Sequence, residues 1–130
     1  MGLGVPRPAI QLSGDLARIK ITGRDDPLLD ISRALYDYCK QRVTQLDSIH
    51  GYIFKSKSPS CGIRNIPVFD ADGNIAATTR GVFANAVYQR LVKQHPLLPI
   101  ADETDLLTLE QRDDFLQRVT WFYASCLKIP

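Results

Sequence analysis

The feature that most constrains the fold is a long amphipathic helical pattern followed closely by a short apolar segment. Apolar side chains recur three or four residues apart over residues 28–46. Asp26-Pro27 comes just before and predicts a helix start, with a capping carboxylate and a proline in the first turn. Residues 51–54, Gly-Tyr-Ile-Phe, have the composition of a strand buried on both faces. A helix followed by such a strand predicts an α/β fold with parallel strands joined by crossovers.

The remaining patterns predict a small three-layer α/β sandwich with a mostly parallel sheet, a β-hairpin insertion and a C-terminal helix. Segment 51–54 is expected to be an interior strand with at least one parallel neighbour. A second helix is predicted over 81–94, and the capping box of Thr108 and Gln111 predicts a third, to about residue 127. Further strands are predicted at 10–12, 17–22, 65–69, 75–77 and 97–100. We expect residues 1–107 to form the domain and residues 108–130 a C-terminal helix or the start of a linker to a second domain.

Composition excludes several classes of protein. The chain has 130 residues, 45% of them hydrophobic, which suits one ordinary domain with a real core. A net charge of +2, with basic and acidic residues interspersed, does not indicate nucleic-acid binding. No apolar run approaches the roughly 20 residues of a membrane-spanning helix. The absence of a signal-peptide pattern and three widely spaced cysteines predict a cytoplasmic protein.

Chemistry is expected in residues 55–62, Lys-Ser-Lys-Ser-Pro-Ser-Cys-Gly, which we call the Cys61 loop. It follows a predicted buried strand, and α/β sheets bind ligands at the carboxyl ends of their strands. Lys55 and Lys57 would favour a Cys61 thiolate, which is the form that a nucleophile or metal ligand requires. The alternative is an ordinary loop cysteine, and the residues alone do not decide between them. Ser58 and Ser60 add hydroxyl groups, but no histidine is placed to activate them.

Other reactive residues have simpler interpretations. Cys39 and Cys126 lie on apolar helical stripes, which predicts buried and inert thiols. Arg80 precedes a helix, where free backbone N–H groups would make an anion site, although a solvent-facing arginine is the alternative. The acidic residues Asp102, Glu103 and Asp105 precede the last helix, where they stabilise its dipole without a metal.

Three stretches together resemble the bacterial thiouracil-desulfurase-like domains, a family in which most members are known only as a domain of unknown function. The first comprises residues 2–8 and 10–12. The second is residues 51–62, whose Ser-Pro-Ser-Cys-Gly segment is the most specific part. The third comprises residues 80–84 and 96–100. Their order and rough spacing agree with the family over nearly the whole chain.

The resemblance implies a 4Fe-4S cluster held by three cysteines of one chain, with the fourth iron open to sulfur from a thiolated pyrimidine. Cys61 corresponds to one cluster ligand, and Ser58 to a catalytic serine. Lys55 and Arg80 are the candidate substrate-binding residues. The substrate would be a small molecule such as a thiolated nucleobase.

The chain departs from the family pattern at its start. The resemblance implies two further cysteine ligands and a glutamate upstream of the Gly-Leu-Gly-Val-Pro segment, with which this chain begins. We therefore expect either a fragment or a shortened relative that holds no stable cluster by itself and lacks one strand. The exposed sheet edge predicts a homo-oligomer. The leading hypothesis is an incomplete iron–sulfur-dependent desulfurase domain, inactive as this fragment. The alternative is a non-catalytic oligomerising or small-anion-binding module.

Overall fold

The computed structural model describes residues 9–127 and has an α/β architecture with two sheets and three α-helices. The predicted α/β class and C-terminal helix are confirmed. The strands are β1 (Ile10–Asp15), β2 (Arg18–Gly23), β3 (Tyr52–Phe54), β4 (Ile66–Phe69), β5 (Ile75–Thr79) and β6 (Ile100–Asp102). The helices are α1 (Ser32–Thr44), α2 (Val82–Val87) and α3 (Leu109–Cys126), with a π-helical turn at Tyr88–Val92 and a 3₁₀ turn at Glu103–Leu106.

The larger sheet is mixed and has the strand order β2-β1-β4-β5. Two antiparallel hairpins, β1–β2 and β4–β5, are joined by a parallel pairing of β1 with β4. The second hairpin is the predicted insertion, turning at residues 70–74, where the Asp70 carboxylate accepts hydrogen bonds from the backbone N–H groups of Asp72 and Asn74. This Asx-type turn is the behaviour expected of Asp before a glycine turn.

The smaller sheet contains β3 and β6, which pair in parallel with Tyr52 opposite Ile100. The predicted parallel neighbour of segment 51–54 is therefore confirmed. The prediction of an interior strand is wrong for the described residues, because β3 is half of a two-stranded sheet. Phe54 is buried, whereas Ile53 is 54% exposed. The apolar sequence matched a fully buried strand, yet only one face of β3 is covered.

Helix α1 begins at Ser32, later than the predicted start at residue 28. Residues 29–31 instead follow the edge of β2: Asp30 forms a β-bridge with Thr22, and the Ile31 N–H donates to the Ile21 carbonyl at 3.0 Å. Backbone groups committed to a strand are not available for a helix. Asp26 therefore caps a turn, accepting from the Leu28 N–H at 3.1 Å, rather than the helix.

The C-terminal helix α3 begins as predicted, with reciprocal hydrogen bonds between Thr108 and Gln111. The apolar spacing of Phe115, Leu116, Val119, Phe122, Tyr123 and Cys126 predicts one buried side of this helix. That prediction is largely wrong, since only Phe122 is buried and Leu116, Tyr123 and Cys126 are exposed. Within residues 9–127 little packs over this helix. Among the same residues no helix is long and apolar enough to cross a membrane.

The core lies between the larger sheet and the pair α1 and α2. Its sheet side is provided by Leu12, Ile21 and Val68, each no more than 1% exposed. Helix α1 contributes Leu35, Cys39 and Val43, so the predicted burial of Cys39 is confirmed. Packing α1 against α2 brings α1 beside the segment that follows β3, and this positions the candidate site.

Candidate active site around Cys61

The Cys61 loop leaves β3 and docks directly on the N-terminus of α2. The Pro59 carbonyl accepts a hydrogen bond from the Val82 N–H at 3.1 Å. The Ser60 carbonyl accepts two, from Phe83 at 2.8 Å and Ala84 at 3.0 Å. The first N–H groups of a helix have no intrahelical partner, and here loop carbonyls satisfy them. These groups are therefore not free to bind an anion, contrary to the expectation for the helix that follows Arg80.

Two glycines permit this close approach. A Cβ atom built on Gly81 would lie 2.5 Å from the Ser60 carbonyl carbon and 2.8 Å from the Pro59 oxygen. A Cβ on Gly62 would lie 2.2 Å from the Ile66 Cδ1 and 2.9 Å from the Ser58 oxygen. Neither residue has a positive φ that would itself require glycine. The backbone at Gly81 and the Ile66 side chain at Gly62 thus pack so closely on the loop that neither position has room for a methyl group.

The Ser58 hydroxyl organises the turn that contains Cys61. It accepts hydrogen bonds from the backbone N–H groups of Ser60 at 3.3 Å and of Cys61 at 3.1 Å. It also lies 3.1 Å from the Ser60 hydroxyl, which in turn donates to Cys61 Sγ at 3.5 Å. A hydroxyl has one proton and two lone pairs. If Ser58 donates to Ser60, the proton and both lone pairs of the Ser58 hydroxyl are hydrogen-bonded, and the Ser60 proton is directed at Cys61 Sγ. The result is a directed chain of hydrogen bonds that ends on the Cys61 sulfur.

Cys61 lies in the wall of a cavity of about 320 Å³. This volume is near the lower end of ligand cavities, which span roughly 300–1,000 Å³. The lining comes from four separate parts of the chain. It comprises Leu35, Tyr38, Cys39 and Arg42 of α1, Tyr52 of β3, Ser60 and Cys61 of the loop, and Phe83 of α2. The cavity therefore combines aromatic surface, thiols, a hydroxyl and one cation.

Burial governs the ionisation of two groups in this wall. It raises the pKa of the Cys39 thiol to about 11, and the nearby Cys61 adds to the shift. Cys39 is therefore neutral at physiological pH and is not a nucleophile. Burial also raises the pKa of the Tyr52 phenol, with a further upward contribution from Cys61 and a downward one from Arg42. The pKa of the Tyr52 phenol therefore depends on both Cys61 and Arg42, which line the same cavity.

The predicted substrate-binding residues Lys55 and Arg80 do not line this cavity. Lys55 is exposed, and its charge contributes to a lowered pKa of Glu103, which is held mainly by hydrogen bonds from Ser56. The Arg80 guanidinium carbon lies 3.9 Å from the centre of the Tyr88 ring, a cation–π contact. The structure brings Ser58 and Cys61 together and places the other two residues elsewhere, so their roles stay predictions.

Residues of α1 complete the site, and sequence reasoning missed them. The helical spacing over residues 28–46 predicts that Tyr38 and Arg42 belong to the stripe that covers the core. Tyr38 is 48% exposed and Arg42 is half-buried, so neither is a core residue. The available signal was the pair of polar-tipped side chains, four residues apart, on an otherwise aliphatic stripe. The pattern of residues 51–54 likewise predicts only a strand position for Tyr52.

The cysteines do not fit a cluster held by three thiolates of one chain. Cys39 is buried, Cys61 is half-buried, and Cys126 is exposed on the last turn of α3, which corrects its predicted burial. Only Cys39 and Cys61 share a cavity. In residues 9–127 no three His, Cys, Asp or Glu side chains are grouped so that they could hold a metal ion. The described donors therefore do not form a cluster site.

Comparisons with known proteins identify the class. A profile of the 2-thiouracil desulfurase family matches residues 1–103, and the chain belongs to this family. Among solved structures, the chain is similar to the 4Fe-4S-dependent thiouracil desulfidase TudS, with a TM-score of 0.51 and 20% sequence identity. That similarity covers 81% of this chain and 62% of the TudS chain, so this chain spans less than two thirds of its length. No curated protein matches the sequence.

Proposed function

We propose that the chain is part of an iron–sulfur-dependent desulfurase that acts on thiolated nucleobases or similar small molecules. The observation that carries this proposal is the position of Cys61, in the wall of a ligand-sized cavity and within the segment that resembles the family most specifically. In this proposal Cys61 is the cofactor ligand and Ser58 the catalytic serine. Lys55 and Arg80 stay the candidate substrate-binding residues of this proposal, although neither lines the cavity.

The cavity is chemically suited to a small planar ring. The Tyr52 and Phe83 rings both line the cavity beside the cysteine, with their centres 6.1 Å apart. The buried Phe54 ring supports this surface from the core, with its centre 4.4 Å from that of Tyr52. Aromatic faces bind heteroaromatic rings by offset or edge-on stacking. The Ser58–Ser60–Cys61 chain then holds a proton next to a sulfur atom at the edge of that surface. In this proposal the aromatic rings bind and orient the substrate, and the two serine hydroxyls hold a proton beside the Cys61 sulfur.

The cluster itself requires ligands beyond those of residues 9–127, because one thiolate in a suitable loop is fewer than the three implied by the family. We expect little iron and sulfide to remain on this chain after anaerobic reconstitution. Cys61→Ala should abolish any iron that is bound, and Cys126→Ala, which removes an exposed thiol outside the cavity, should change nothing. Near-stoichiometric four-iron loading that depends on Cys61 would contradict the expected absence of a stable cluster.

A substrate-binding assay tests the desulfurase proposal separately. Binding of 2-thiouracil to the chain, weakened by Cys61→Ala and not by Cys126→Ala, would support it. Ser58→Ala and Ser60→Ala form a matched pair, since each removes one hydroxyl of the hydrogen-bonded chain. We expect Ser58→Ala to disturb the loop more, because it also loses two backbone hydrogen bonds. Absence of any 2-thiouracil binding at millimolar concentration would overturn the proposal.

A second candidate, an oligomerising module, is favoured by the open edge of β3. Among the described residues β3 pairs only with β6, and Ile53 is 54% exposed. Unpaired edges recruit other chains, so a homo-oligomer through this edge is the second proposal. Ile53→Lys should shift the sedimentation coefficient towards the monomer, with Leu28→Lys, at an exposed turn outside both sheets, as the control. A wild-type monomer at all concentrations would overturn it. The cytoplasmic location and the boundary at residue 107 stay predictions.

A further inference from the structure

The Arg42 guanidinium, in the wall of the cavity beside Cys61, has no acidic partner in the part of the chain that the structure describes. Arg42 lies in the last turn of α1, and its Nη1 donates a hydrogen bond of 2.9 Å to the Gln45 side chain. A guanidinium carries five N–H donors, and this is the one hydrogen bond that the Arg42 side chain makes within residues 9–127. Arg64, Arg90 and Arg118 form ion pairs with carboxylates, whereas Arg42 forms none with a described residue. Other described arginines are also unpaired, but none of them lines this cavity.

The other ionisable groups that face Arg42 are weak acids. They are Tyr38 and Cys39 on its own helix, Tyr52 on β3 and Cys61 on the loop. Among residues 9–127 no carboxylate lines the cavity, and Arg42 is the single basic residue that does. In a site partly shielded from water, an arginine that lacks a carboxylate favours a bound anion. The cavity thus offers a positive charge on one side and sulfur and hydroxyl groups on another.

We propose that Arg42 is the specificity-determining residue of this cavity and selects the anionic form of a planar heteroaromatic thione. This inference rests on the proposed function and names the form of substrate that the site prefers. A ring N–H beside a thiocarbonyl is acidic, and its loss leaves a charge delocalised over nitrogen, sulfur and any adjacent oxygen. A guanidinium can donate two parallel N–H bonds to such an edge. With the ring against Tyr52 and Phe83, the sulfur faces Ser60 and Cys61.

The test compares two ligands on the full chain by titration calorimetry, at a pH above the pKa of the first ligand. The ligands are 2-thiouracil, which ionises, and its N,N′-dimethyl derivative, which cannot. Hydrogen bonds to a charged group predict that wild type binds the ionised ligand about tenfold more tightly, or more. Arg42→Gln should abolish this preference and Arg42→Lys should retain part of it. Lys40→Gln removes an exposed charge on the same helix, outside the cavity, and should leave the preference unchanged.

The outcomes separate the two proposals. Equal affinity of wild type for both ligands, or an unchanged preference in Arg42→Gln, would overturn the role of Arg42 and leave the desulfurase proposal standing. Failure of wild type to bind either ligand would overturn both. Because the wild-type preference and Arg42→Lys are measured independently, the inference stays testable if Arg42→Gln does not fold, which circular dichroism would reveal.

Discussion

Replacing Gly81 with alanine tests whether close backbone packing holds the Cys61 loop in place. The new Cβ would lie 2.5 Å from the Ser60 carbonyl carbon, whereas ordinary contacts begin near 3.4 Å. The loop must therefore retreat by about 0.9 Å, the difference between these two distances. The hydrogen bonds of 2.8 and 3.0 Å from Phe83 and Ala84 to the Ser60 oxygen would then exceed the usual limit of about 3.2 Å.

The expected cost follows from these contacts. Overpacking costs about 1–3 kcal/mol of unfolding free energy. This range already includes the two weakened hydrogen bonds, each worth about 1 kcal/mol. The alanine also stiffens the unfolded chain, which stabilises the protein by about 0.4–1 kcal/mol. At Gly81 φ is −60° and ψ 160°, so alanine adds no backbone strain. We expect a net loss of about 1–2 kcal/mol, which lowers the urea midpoint by about 1 M.

Two measurements check this reasoning: urea unfolding and the rate at which a thiol reagent modifies Cys61. Gly81→Ala should both destabilise the fold and change the Cys61 rate in native buffer. The matched control is Gly73→Ala, at a residue with φ +81° and no atom within 4 Å of an added Cβ. It should destabilise through backbone strain and leave the Cys61 rate unchanged. Wild-type stability and labelling in Gly81→Ala would refute the argument.

Three further predictions follow from the burial and charge of single residues. Native-state thiol labelling should modify Cys126 and Cys61 and spare Cys39, whose thiol is buried with a pKa near 11; fast labelling of Cys39 would contradict this. Hydrogen bonds from the Asp102 N–H and Arg64 lower the pKa of the Asp105 carboxyl. The stability that ionised Asp105 gives to the fold is therefore lost as pH falls through the pKa of this carboxyl in the folded protein. Acid titration of Asp105→Asn should show a shallower loss of stability than wild type. Arg64→Met should destabilise by about 1–3 kcal/mol, because it leaves buried Asp102 without its ion pair; an unchanged melting temperature would refute this.

Much of the fold and part of the site follow from local patterns. The β4–β5 hairpin, the capping box of α3 and the position of the Cys61 loop after a strand depend on residues close together in the chain. Such interactions form wherever the local sequence permits. The start of α1 did not follow, because residues 29–31 lie along the edge of β2, with backbone hydrogen bonds from Ile31 to Ile21 and from Gly23 to Leu29. A distant strand overrode a good local helix signal.

The sequence by itself determined the α/β class, the loop that carries Ser58 and Cys61, and the burial of Cys39. Tertiary structure decided which side chains share a cavity with Cys61. Tyr38 and Arg42 reach it because α1 packs on α2, and the loop carbonyls occupy the helix N–H groups that local reasoning had left free. Helical periodicity identifies the apolar face of α1, but it does not tell which other segments of the chain pack beside that face. That choice depends on contacts between segments tens of residues apart, whose free energy is realised only when the core assembles.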